Sequence, residues 1–191
     1  MEINLDSQDV IYQKIGEFAV TFQWIENRLR EIGWLILDPD RSEWPPKTLR
    51  NLTNQKLIDK VAGLIREALQ SCDLMPDLEA DFGRGLDACV RSLHELRKDR
   101  NRILHSAFIE LKAGGEVHAI LRSNPKIEVD EETGEVLFDQ ECLTSSSFDN
   151  EMRRMADVAM FLNRVYIQLI HRYPNGGTQQ ADPADRASRG H

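Results

Sequence analysis

Residues 97–108 read RKDRNRILHSAF, and Arg100, Asn101 and His105 place a guanidinium, an amide and an imidazole within six positions. An imidazole with an ordinary pKa of about 6.5 can give or take a proton near neutrality. A guanidinium binds phosphate through a fork of donors that lysine does not reproduce. An amide can orient either group. These residue types together suit proton transfer at a phosphate. Arg91, Arg97, Lys98, Arg100 and Arg102 stand here against only Glu95 and Asp99, so a chain of net charge −8 carries one basic helix end. The overall charge excludes broad, non-specific coating of nucleic acid, but local retention of a phosphate remains open.

Helix geometry makes Arg100 unusual. At about 100° per residue it falls in the middle of the stripe formed by Leu93, Leu96, Leu104 and Ala107, where patterning expects leucine. A guanidinium in that slot needs a partner, because an unpaired buried charge is costly. One reading is a structural ion pair with Glu26, on the border of the first helix's apolar stripe. The other is that the slot faces a phosphate-binding groove. His105 lies about 140° around the helix from Arg100, whereas Asn101 and His105 are i and i+4 and share a face. Arg100 and His105 would then flank one seam, with Asn101 between them.

The elements that must hold these groups are mostly helical. Ile11, Ile15, Phe18, Phe22, Ile25, Leu29 and Ile32 recur at alternating spacings of four and three, which predicts a helix from Ser7, its N-cap, to Leu37. Pro45 and Pro46 end that region. Leu57, Val61, Leu64, Ile65 and Leu69 mark a second helix. A third is expected from near Asp77 to about Ser106, with Leu86, Cys89, Leu93, Leu96, Ile103, Leu104 and Ala107 inward. AFIELK and VHAILR around Gly114-Gly115 then read as a β-hairpin, and KIEVD and EVLFD around EETG as a second. Ser145–Ser147 can cap a last helix through His171, whose apolar positions are Met152, Met155, Val158, Phe161, Leu162, Val165 and Leu169. The expected fold is mainly α: an antiparallel four-helix bundle with a small β-hairpin or meander insert, about residues 107–142, before the last helix. Residues 1–173 form a single helical domain in this reading, and 174–191, apolar only at alanine, a disordered tail.

A helical bundle bearing arginine, four to six residues and then histidine, with a polar residue directly after the arginine, resembles the HEPN superfamily. The bare arginine-to-histidine spacing occurs at Arg100–His105, Arg164–His171 and Arg186–His191, but only Arg100 is followed by asparagine. The resemblance covers roughly residues 7–172 as an architecture and RNRILH as a motif. It implies a metal-independent endoribonuclease of the toxin or phage-defence type, needing no cofactor, in which two protomers face their RNRILH segments across a two-fold axis. Arg100, Asn101 and His105 would be catalytic and Glu26 would support Arg100. Lys98, Arg97 and Arg102 would extend the contact with RNA. A non-catalytic HEPN-like module that binds RNA or protein is the alternative. In members silenced by nucleotide transfer to a tyrosine, that tyrosine stands two residues after the histidine; here the position is Ala107. An antitoxin or regulatory partner of another kind stays open.

Other residues carry less chemistry. His94 lies on the polar side of the same helix, and His118 reads as a surface residue. Trp24, Trp34 and Trp44 read as core or interface anchors. Cys72, Cys89 and Cys142 never form CxxC, so neither a disulfide framework nor a zinc ribbon is expected. No dinucleotide, P-loop or HExxH motif occurs. No apolar run approaches a membrane span, and the acidic N-terminal stretch lacks a signal-peptide layout, which makes the cytoplasm the expected location and a membrane partner unexpected.

Overall fold

The computed structural model describes residues 8–40, 42, 46–70, 76–129 and 136–172. Five helices and three strands follow in the order α1 (Gln8–Leu37), α2 (Lys47–Arg50), α3 (Asn54–Gln70), α4 (Pro76–Leu104), β1 (Ala107–Ala113), β2 (Glu116–Val129), β3 (Val136–Leu143) and α5 (Asp149–Arg172). The protein is thus mainly helical with one small antiparallel sheet. Ser7, Trp44, Cys72, the EETG turn and the expected tail lie outside the described residues.

Two compact units divide the chain. One comprises Met1–Ile25 and Arg91–Val158, the other Glu26–Val90 and Ala159–His191.

In the first unit, Ile11, Phe18, Phe22 and Ile25 are buried along α1, as the four–three spacing requires. Phe18 meets Phe148, just before α5, with ring centroids 6.1 Å apart. Leu93, Leu96 and Ile103 are buried on α4, whereas Leu104 is 37% exposed and Ala107 is exposed. These last two correct the expected inner face. The helix ends at Leu104, and from Ala107 onwards side chains follow the two-residue alternation of a strand.

The sheet has strand order β1-β2-β3. Gly114 and Gly115 turn the first hairpin with φ of 63° and 90°, values that favour glycine. The two expected hairpins prove to share one long strand, β2, which pairs first with β1 and then with β3. Its register with β3 shifts between Ser123 and Ile127, where Pro125 has no N–H to give to a ladder. Paired positions set two faces. Phe108, Arg122 and Glu141 share one with Glu110, Ile120 and Leu143; Ile109, Leu121 and Cys142 lie on the other. Ile120, Arg122 and Leu143 are buried, so the first of these faces is the inner one.

The second unit is helical. Leu57, Ile58, Val61, Leu64 and Ile65 bury the inner side of α3, while Leu69 is only half-buried. Gly33 lets α1 approach α2, since a Cβ there would stand 2.6 Å from Leu49 Cδ1. The α2 turn itself had no counterpart in the pattern analysis, where the two prolines read only as a break. Phe82 packs on Phe161 at 5.3 Å, and the Arg28 guanidinium lies 4.2 Å from the Tyr166 ring centroid. Leu162, Val165 and Leu169 complete the buried stripe of α5 in this unit. Among the described residues no helix is long and apolar enough to cross a membrane.

Candidate functional site

The C-terminal end of α4 is closed by tightening hydrogen bonds. His105 N donates to Asn101 O at 3.1 Å, and Ser106 N donates to Ile103 O at 3.3 Å, a three-residue step in place of four. Ser106 Oγ donates to Arg102 O at 2.5 Å. These bonds satisfy carbonyls that a helix end leaves without partners. They also hold His105 on the last turn, one helical turn beyond Asn101.

Lys98, Asp99, Asn101, Arg102 and His105 from this end, with Asn124 of β2 and Asp139 of β3, line a cleft of ≈ 670 Å³. All belong to the first unit. His105 and Lys98 are exposed, and neither side chain has a hydrogen-bond or ion-pair partner among the described residues. Arg102 lies 3.7 Å from both Asp99 and Glu151, loose contacts for a side chain 39% exposed. Asp99 is held more closely by Arg154, whose Nη2 donates to its Oδ2 at 2.6 Å while Nη1 donates to Glu95 at 3.1 Å. These pairs fix α5 to α4 beside the cleft.

Four of the sequence-derived residues therefore meet in one place: Lys98, Asn101, Arg102 and His105. Arg100 does not line the cleft. It is half-buried and donates through Nη1 to Asn101 Oδ1 at 3.3 Å, so it reaches the cleft through the amide. Arg100 continues the buried series Leu86, Cys89, Leu93, Leu96 and Ile103, which preserves its status as a cation at an apolar position although Leu104 and Ala107 leave that stripe. Arg97 is half-buried, with its Nε enclosed and without a hydrogen-bond partner among the described residues. Glu26 belongs to the second unit. His94 is half-buried; His118 is exposed, its Nε2 3.0 Å from the Ala113 carbonyl oxygen. Trp24 is 39% exposed, which excludes it from the core, and Trp34 donates to Asp38 at 3.3 Å. Cys89 and Cys142 are free thiols. Burial pushes the Cys89 thiol up to about 12, the behaviour of a packed side chain and not of a nucleophile.

The strand residues of the lining lie outside the site expected from the sequence. Arg122 is the single buried charged residue among those described, 2% exposed on the inner face of the sheet. Its Nη2 donates to Asp139 Oδ1 at 2.7 Å and its Nη1 to Asp139 Oδ2 at 3.2 Å; Nε donates to Glu141 Oε2 at 3.2 Å. Nη1 also approaches Ser106 Oγ at 3.3 Å, which ties the sheet to the residue next to His105. The Arg122 hydrogen bond holds the Asp139 carboxyl below its ordinary 3.8, and the same bond raises the guanidinium above its ordinary value. The signal was present in the alternation: if Ile120 and Leu143 point inward, so do Arg122, Asp139 and Glu141.

No family model, curated protein or solved structure matches the chain. The chemistry of the cleft must therefore be argued from its own groups. The helix end offers an imidazole, an ammonium, a guanidinium, an amide and the Asp99 carboxylate; the strands offer the Asp139 carboxylate and a second amide. Such a site can bind a phosphate and transfer a proton beside it. Among the described residues, no cluster of three or more His, Cys, Asp or Glu side chains could hold a metal ion.

Proposed function

We propose that this protein is a metal-independent endoribonuclease of the HEPN type, working as a homodimer in a cytoplasmic toxin or phage-defence role. Its four long helices are taken as one antiparallel bundle. The observation that carries this reading is the shared lining of one cleft by Asn101 and His105, with Lys98 and Arg102 beside them. In-line attack by an RNA 2′-hydroxyl needs a base for its proton, an acid for the departing 5′-oxygen and positive charge on the developing phosphorane. His105 transfers the proton; the imidazole of the second protomer serves the opposite step. Lys98 and Arg102 neutralise the phosphorane oxygens. Arg100 holds Asn101, which orients the phosphate or the histidine. The 2′-oxygen–phosphorus bond forms as the bond to the 5′-oxygen breaks, leaving a 2′,3′-cyclic phosphate and a free 5′-hydroxyl.

Asp99 and Asp139 in the same lining favour one alternative, a module that binds RNA or a protein without cutting, because they offset part of the cationic charge. Incubating the purified protein with mixed RNA in EDTA separates the two. Cleavage to cyclic phosphate ends is expected; a mobility shift with intact RNA would leave only binding.

A further inference from the structure

In the first unit Arg97, Arg100, Arg122 and Arg154 are half-buried or deeper. Arg122 is held by Asp139 and Glu141, and Arg154 by Glu95 and Asp99. The other pair has no carboxylate partner among the described residues. Arg100 spends a single donor on Asn101, at 3.3 Å. Arg97 makes no hydrogen bond or ion pair with any described residue, and its Nε is enclosed. The acids nearest to it on α4 cannot serve it. Glu95 and Asp99 stand about 160° around the helix from Arg97, and Arg154 already takes both.

An enclosed donor without an acceptor costs stability, and nothing inside the described fold offsets that cost at Arg97. A cation kept in this state is explained by an anion that arrives from outside. Its position says which anion. Arg97, Asn101 and His105 are i, i+4 and i+8 on α4 and form one ridge, of which Asn101 and His105 line the cleft. Arg97 lies beyond the lining, one turn and about 6 Å before Asn101. A nucleic-acid strand with one phosphate at His105 can therefore continue along the ridge. We infer that Arg97, with Arg100 beside it, is a second phosphate subsite that holds the phosphodiester next to the one in the cleft. A guanidinium suits this task because its fork of donors matches two phosphate oxygens. The ligand is then an RNA strand with consecutive phosphodiesters, whereas a dinucleotide fills only the cleft.

This inference rests on the reading of the cleft as an RNA-phosphate site, but not on cleavage. The probe is a 2′-O-methyl hexaribonucleotide, which has no 2′-hydroxyl to attack, titrated calorimetrically into the full chain in EDTA at several salt concentrations. A 2′-O-methyl dinucleoside monophosphate, with a single phosphodiester, is the control. Arg97→Met should weaken binding of the hexanucleotide about tenfold, the loss of one charge-assisted contact. It should also lower the slope of log affinity against log salt by about 0.7, the share of one neutralised phosphate on a single strand. Binding of the dinucleotide should stay within about twofold. Arg97→Lys keeps the charge without the fork, and should restore the slope but only part of the affinity. Without ligand, Arg97→Met should melt about 2–4 °C higher, because it no longer encloses an unpaired donor. An arginine kept for the fold would lower the melting temperature when replaced. A lower melting temperature in Arg97→Met overturns the inference, as does hexanucleotide binding that is absent from the unmodified protein or indifferent to Arg97. A hexaglutamate peptide that binds through Arg97 where the hexanucleotide does not would also overturn it and assign the site to an acidic protein segment. Arg97-dependent RNA binding without cleavage would remove the nuclease reading and leave this one; cleavage with binding indifferent to Arg97 would do the reverse.

Discussion

Arg122 and Asp139 are joined by two hydrogen bonds, 2.7 and 3.2 Å long, across neighbouring strands, with the arginine 2% exposed. The pair connects the inner face of the sheet to the cleft that His105 lines, through Ser106 on one side and Asp139 on the other.

Arg122→Met should destabilise the protein by about 2 kcal/mol. Loss of a buried partner costs about 3–5 kcal/mol where the remaining charge stays enclosed, and the partly exposed Asp139 and Glu141 lower that figure. Urea denaturation with an unchanged m-value checks it; a midpoint equal to that of the unmodified protein would mean that the cluster contributes nothing net.

Stability should fall in acid because of Asp139. Its carboxyl titrates lower in the folded protein than its ordinary 3.8, so the contribution is complete above that value and is lost as pH falls through the depressed folded value. Thermal melts from pH 6 to pH 2.5 should show a drop beginning near pH 4 that is smaller in Asp139→Asn. Parallel curves for the two proteins would contradict this.

His105→Ala should abolish RNA cleavage and leave the melting temperature within about 2 °C, since an exposed side chain away from special features contributes within about 0.5 kcal/mol. Arg100→Ala should also abolish cleavage, with a larger thermal cost because the side chain is half-buried. Activity retained in both variants would dismiss the assignment.

Alanine at two glycines should act in opposite directions. At Gly33 a Cβ meets Leu49 at 2.6 Å and Val61 at 3.2 Å, so Gly33→Ala should destabilise by about 1–3 kcal/mol. At Gly63, also helical, nothing lies within 4 Å, and Gly63→Ala should stabilise by about 0.5–1 kcal/mol. Equilibrium unfolding of each variant gives the sign directly.

Iodoacetamide at pH 8 should label Cys142 and spare Cys89 until the chain is unfolded. One thiol is exposed, whereas burial raises the other to about 12. Peptide mapping resolves the two.

Local rules made the helices legible. The four–three spacing along α1 and the glycine pair after Ala113 each had one physical solution, and the elements begin and end close to where those rules place them. Difficulty arose where two rules competed. Leu104 and Ala107 fit the helical stripe numerically, yet the helix stops between them and the strand takes over the direction of Ala107. Lys98, Asn101, Arg102 and His105 could be placed together because they lie within two turns of one helix. Asn124 and Asp139 could not, since their approach depends on strand register, which the Pro125 irregularity resets. Arg122 was passed over for a different reason: an arginine in an alternating strand is ordinarily counted on the wet side.

The carboxylates that neutralise Arg122 come 17 and 19 residues after it. At a synthesis rate of about 5–20 residues per second, the growing chain spends roughly one to four seconds with the cation made and its anions absent. During that interval the first hairpin cannot bury its inner face without stranding a charge. Sheet closure thus depends on β3, which brings both carboxylates.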